Sequence, residues 1–116
     1  MSYKVVFHID WDDDQILKMA LVNIENLLKD PSAISSKIHL VANGESVRFF
    51  RKEFCGENYP KIKELHSNGV RFCICNNSLN KLKYKPENML DICEIVPTGV
   101  IEICRLQDAG FAYIKP

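Results

Sequence analysis

Residues 70–82, Val70-Arg71-Phe72-Cys73-Ile74-Cys75-Asn76-Asn77-Ser78-Leu79-Asn80-Lys81-Leu82, change character in the middle. The first six are a short, almost continuous apolar run, the pattern of a strand buried on both faces. The next three are small polar residues that suit a helix start, and Leu79 and Leu82 then recur at helical spacing. A buried strand that passes directly into a helix is the unit of a parallel sheet, and the rest of the chain repeats it.

Lys4 to Ile9 (KVVFHI) reads as a first buried strand. The helix after it carries apolar residues at 16, 17, 20, 21, 24, 27 and 28 and stops before Asp30-Pro31. Lys37 to Ala42 (KIHLVA) is a second strand, closed by Asn43-Gly44. A short helix through Val47, Phe50 and Phe54 is expected next. Another begins at Pro60, continues through Ile62 and Leu65, and stops at Asn68-Gly69. Ile92 to Val96 is the fourth strand. Thr98-Gly99 opens a last helix with apolar residues at 100, 101, 103, 104 and 106, Gly110 ends it, and Phe111 to Ile114 is the fifth strand. Five strands alternating with helices predict an α/β fold: a three-layer α/β/α sandwich around a mostly parallel five-stranded sheet. The strand order does not follow from the sequence.

The 116 residues suit one domain over 1–116, long enough to bury roughly two-thirds of the unfolded surface. Fifteen basic residues balance fifteen acidic ones. That balance argues against nucleic acid or an anionic membrane as partner and leaves little self-repulsion against a homo-oligomer. No apolar stretch approaches the roughly 20 residues of a membrane span, and the amino terminus does not read as a secretory signal. A cytoplasmic protein with reduced thiols is the expectation.

Ligands of open parallel sheets bind beyond the carboxyl ends of the strands. Four places qualify: His8-Ile9-Asp10, Asn43-Gly44, Cys75-Asn76-Asn77 and Pro97-Thr98-Gly99. Cys75 stands out, because a sulfur that ends a strand and precedes a helix meets free backbone N–H groups and the positive end of the helix dipole, and both favour the thiolate. A small buried filler is the competing reading. Cys93 and Cys104 are read as core, and Cys55, in a loop before Gly56 where exposure is expected, as the second candidate for reactivity. Cys73 is read as packing, with a resolving role as the alternative. A bridge to Cys75 is disfavoured, since Cα atoms two residues apart on a strand lie about 6.5–7 Å from each other.

No cofactor or metal is expected: the cysteines lack paired zinc spacing, and His8, His39 and His66 are scattered along the chain. The run Asp10-Trp11-Asp12-Asp13-Asp14 resembles the magnesium site of a phosphoacceptor domain, but the third strand ends in Cys75 where such a domain needs an aspartate. Helix capping is the simpler account, with Asp12 as N-cap and Gln15 three residues on. His8 and Asp10 remain candidates for the crevice. Asn43-Gly44 could hold an anion at a helix start, but it lacks a glycine-rich phosphate loop.

The segments KVVFHID, VANGESV, GVRFCICNNSLNKL and ICEIVPTGVIEICRLQDAGFAYI, in this order, resemble the DsrE/DsrF-like family, which includes YchN-type proteins and sulfur-relay subunits. Cys75 matches the family's strand-end cysteine, and Asn77-Ser78-Leu79 matches the helix start after it. The resemblance implies a flavodoxin-like fold, a homo-oligomer (commonly a trimer or hexamer), and a cysteine persulfide exchanged with donor and acceptor proteins. It leaves two functions to weigh: a sulfur carrier working through Cys75, with His8, Asp10, Asn43, Gly44, Asn76 and Asn77 as binding residues, or a non-enzymatic oligomeric scaffold or small-ligand binder.

Overall fold

Five strands, β1 (Lys4–Ile9), β2 (Lys37–Ala42), β3 (Arg71–Cys75), β4 (Glu94–Val96) and β5 (Ala112–Ile114), form one sheet in the order β4-β3-β2-β1-β5 in the computed structural model, which describes residues 2–116. Every pairing is parallel. The helices α1 (Asp14–Lys29), α2 (Tyr59–Ser67), α3 (Asn76–Lys81) and α4 (Gly99–Asp108) alternate with the strands, joined by short 3-10 turns.

The strand order decides the layers. From β1 to β4 the chain steps one way along the sheet, so right-handed crossovers put α1, α2 and α3 on one face. The return from β4 across three strands to β5 puts α4 on the other. Two separate cores record this. Phe7, Leu40, Phe72 and Ile74 pack with Leu17, Ile24, Ile62, Leu65 and Leu79 in the larger one. Val6, Val41 and Cys73 meet Ile103 and Leu106 of α4 in the smaller one. The predicted three-layer sandwich is therefore present.

Local chemistry explains most element ends. Pro60 sits in the first turn of α2, and Gly69 and Gly110 take positive φ after α2 and α4. The N-cap of α1 is Asp13, not Asp12: its carboxylate accepts the amides of Gln15 (2.9 Å) and Ile16 (3.4 Å), whereas Asp12 pairs with Arg48. Residues 44–50 form a 3-10 helix, and Phe54 lies beyond it, half-exposed, with the Arg48 guanidinium 4.2 Å from its ring centroid.

Three cysteine expectations need correction. Cys104 is exposed, because α4 turns Ile103 and Leu106 to the sheet and the stripe of Val100, Ile101 and Cys104 away from it. Cys55 is buried, since the turn that follows it folds back onto the larger core. Cys93 lies ahead of β4, in a turn where its amide bonds to the Leu90 carbonyl, and is only half-buried. No helix among the described residues is long and apolar enough to cross a membrane.

Candidate functional site

The strand ends are level across the sheet: Ile9 lies beside Ala42, Ala42 beside Ile74, and Cys75 beside Val96. After Cys75 the chain turns onto one face as α3. After Val96 it turns onto the other as α4. Divergence of neighbouring strands to opposite faces opens a crevice at their carboxyl ends. Here it measures about 250 Å³ and is lined by Asn43, Cys75, Asn77, Ser78, Lys81, Thr98, Gly99 and Val100.

Cys75 lies at its floor, 4% exposed. It is itself the N-cap of α3, a place the sequence suggested for the asparagines after it: Sγ accepts the Ser78 amide at 3.4 Å. Burial pushes the thiol up. Against that, hydrogen bonds from the Ser78 hydroxyl and from the backbone amides of Gly99, Ser78 and Asn77 stabilise the anion, and the balance holds Cys75 below the ordinary thiol range. Donors thus arrive from the start of α3 and from the start of α4.

Gly99 makes the second approach possible. A Cβ there would lie 3.1 Å from Asn43 Cβ and 3.4 Å from both Cys75 Cβ and Val41 Cγ1. Thr98 caps α4, its hydroxyl accepting the Ile101 amide at 3.2 Å. The Asn77 amide bonds to the Pro97 carbonyl at 3.2 Å and ties the two diverging loops together.

A second ring of contacts fixes these groups. Ser78 Oγ accepts the Gly44 amide at 2.7 Å, which leaves the hydroxyl hydrogen for the Cys75 sulfur. His8 bridges Tyr113 Oη (2.6 Å from Nδ1) and Asn43 Oδ1 (2.7 Å from Nε2). Because the amide oxygen can only accept, His8 donates from Nε2, Tyr113 donates to Nδ1, and the Asn43 amide is held in place at the crevice wall.

Asn43 and Asn77 therefore line the crevice with Cys75, while Gly44 and His8 act on it through Ser78 and Asn43. Asp10 and Asn76 do not line it. Asp10 forms an ion pair with Lys115 at 3.0 Å, and its carbonyl accepts the Ser46 amide at 3.3 Å. Thr98 and Gly99 lie at one of the four strand ends that the sequence marks, though without an assigned role, whereas Ser78 and Lys81 are not marked as site residues. For Gly99 a signal was present, a glycine at the first position of a helix that directly follows a strand.

Cys73 is in a different situation two residues earlier. Burial pushes its thiol up to about 12, and no amide donor offsets it. A resolving role as a thiolate finds no support in that environment. Its neighbour is His39, Nδ1 3.9 Å from the sulfur, whose own value burial lowers, so that the ring stays neutral near pH 7.

A family model described as "DsrE/DsrF-like family" matches residues 4–116. Among solved structures, one titled "Structure of Protein of Unknown Function MTH1491 from Methanobacterium thermoautotrophicum" is 36% identical, covers 99% of this chain and 100% of that one, and superposes with a TM-score of 0.90. No curated protein matches the chain significantly.

Proposed function

This chain belongs to the DsrE/DsrF-like family, and from that premise we propose that it is a sulfur carrier that holds sulfur as a persulfide on Cys75. The observation that carries the reading is a single sulfur at the floor of an open crevice between the starts of α3 and α4, where it accepts the Ser78 amide at 3.4 Å. The Cys75 thiolate attacks the outer sulfur of a donor persulfide. A new S–S bond forms, the donor's S–S bond breaks, and the donor departs as its thiolate. The amides that favoured the thiolate then favour the terminal sulfur anion. An acceptor thiolate attacks that outer sulfur in turn and returns Cys75 to the thiolate, so no external oxidant or reductant is needed.

The test is intact mass after exposure of the reduced protein to a low-molecular-weight persulfide. One sulfur atom should be gained by the native chain and none at this site by Cys75→Ser. A gain of equal size in Cys75→Ser sinks the assignment.

Homo-oligomerisation, as a trimer or hexamer, is part of the same proposal, and the donor and acceptor are taken to be proteins. In support, the smaller core has one ten-residue helix for cover, and α4 leaves Val100 and Ile101 largely exposed, with the half-exposed Tyr113 of the edge strand on the same face of the sheet. Ile101→Glu, placing a charge in that patch, should shift the sedimentation coefficient to that of a smaller species. A native chain that already sediments as a monomer at micromolar concentration would refute the association.

A further inference from the structure

Under α4, on the face of the sheet it covers alone, the fold brings together three side chains far apart in sequence: His39 of β2, Cys73 of β3 and Glu102 of α4. One nitrogen, one sulfur and one carboxylate oxygen all lie within 4.8 Å of one another. His39 and Cys73 are 5% and 1% exposed, and the Glu102 side chain is 11% exposed. We propose that these three residues form a binding site for a divalent transition-metal ion of the zinc class, separate from the Cys75 crevice and independent of the sulfur-carrier reading.

The donor chemistry selects the class of ion. Imidazole, one carboxylate and a thiolate, whose proton a bound ion displaces although burial alone retains it, suit zinc and its neighbours, whereas magnesium and calcium want oxygen alone. The geometry is close to what such an ion needs. Zn–S near 2.3 Å and Zn–N near 2.0–2.1 Å at a tetrahedral angle put nitrogen and sulfur about 3.6 Å apart. His39 Nδ1 and Cys73 Sγ lie at 3.9 Å, long for a hydrogen bond that fixes the pair by itself. A Glu102 carboxylate oxygen lies within 4.8 Å of both.

The backbone supports it. Val41 stands opposite Cys73, and His39 opposite Arg71, so the first two donors are diagonal neighbours on adjacent central strands. The ring of Phe111 meets His39 edge-on at 5.1 Å between centroids and limits its rotation. Arg105 holds the Glu102 carboxylate through Nε at 3.1 Å and Nη2 at 2.5 Å, an outer contact that orients a ligand and leaves lone pairs free. The nearby cation Arg71 is itself paired with Glu94, at 2.7 and 2.5 Å, which reduces its opposition to a metal. A shallow cavity lined by Ser36, Lys37, His39 and Arg71 reaches the histidine from the far end of the sheet. Three protein ligands leave a fourth position for water.

An ion held here joins two central strands to the helix above them. Glu102 is three residues beyond Gly99, and Cys73 two before Cys75, so its occupancy would steady the α4 start that delivers an amide to the crevice.

Cobalt(II) reports on such a site directly. In the full chain carrying Cys75→Ser, kept reduced, one equivalent of Co2+ should produce a thiolate-to-cobalt charge-transfer band with the visible bands of a four-coordinate ion, and Zn2+ should bleach both. Cys73→Ser should abolish the charge-transfer band. Glu102→Gln should keep it but weaken Co2+ binding at least tenfold, and this arm remains decisive if a serine at the buried position compromises folding. Absence of the band at one equivalent, its survival in Cys73→Ser, or an unchanged affinity in Glu102→Gln each overturns the proposal.

Discussion

Phe72→Ala should lower the free energy of unfolding by about 3–5 kcal/mol, most of it as a cavity that its surroundings cannot fill. Phe72 is fully buried on β3, the strand between β2 and β4. It lies beside Leu40 in the sheet, and its ring is 5.8 Å from that of Phe50, which the 3-10 turn after β2 packs onto the same face. Strand backbones on both sides prevent collapse into the space. A domain of this size has about 5–15 kcal/mol in total, so the variant should still fold with a urea midpoint far below that of the native chain and an unchanged slope. A loss under about 1 kcal/mol would contradict the packing of β3 as a central strand.

That strand was legible because a short, almost continuous apolar run closed by polar residues is the pattern of a strand buried on both faces. Pro60, Gly69 and Gly110 were legible for the same kind of reason, each marking a helix end by a property of its own backbone. Cys75 was legible as a candidate because strand end and helix start are both local features. What could not be read depends on which elements become neighbours. Asp12 and Asp13 are equivalent as caps until Arg48 arrives from the turn after β2 and pairs with the first. The last helix carries two apolar stripes, and only the strand order, with β5 returning to the side of β1, decides that Ile103 meets the sheet and Cys104 meets solvent. The same return brings Gly99 over Cys75, and Glu102 over His39 and Cys73. Scattered histidines in a sequence therefore say little about metal sites in a parallel sheet, where neighbouring strands lie tens of residues apart along the chain.

Gly44→Ala should cost about 2–4 kcal/mol of stability and, with it, part of the activation of Cys75. Two penalties coincide at this position. Gly44 has φ +60, in the left-handed region, and an added Cβ would stand 2.7 Å from the Asp10 carbonyl oxygen. The obstacle is backbone, held by the Ser46 amide at 3.3 Å, so it cannot swing aside as a flexible side chain would. The turn at 43–46 must move instead, and with it the Gly44 amide that the Ser78 hydroxyl accepts at 2.7 Å. Ser78 then loses the partner that orients its hydrogen toward the sulfur, and the Cys75 thiol should move back up toward its ordinary value. The sign follows: iodoacetamide reacts with the thiolate, so at a fixed pH near 7 alkylation of Cys75 should slow, and the pH profile of the rate should shift upward. Gly56→Ala is the internal control. Its φ is +46, and an added Cβ meets nothing within 4 Å, so only the dihedral cost of about 1–2 kcal/mol applies, with no change in the alkylation profile. Equal stability losses in the two variants would show that the clash with the Asp10 carbonyl costs nothing, and an unshifted profile in Gly44→Ala would show that the contact from Gly44 through Ser78 to Cys75 has no part in tuning the sulfur.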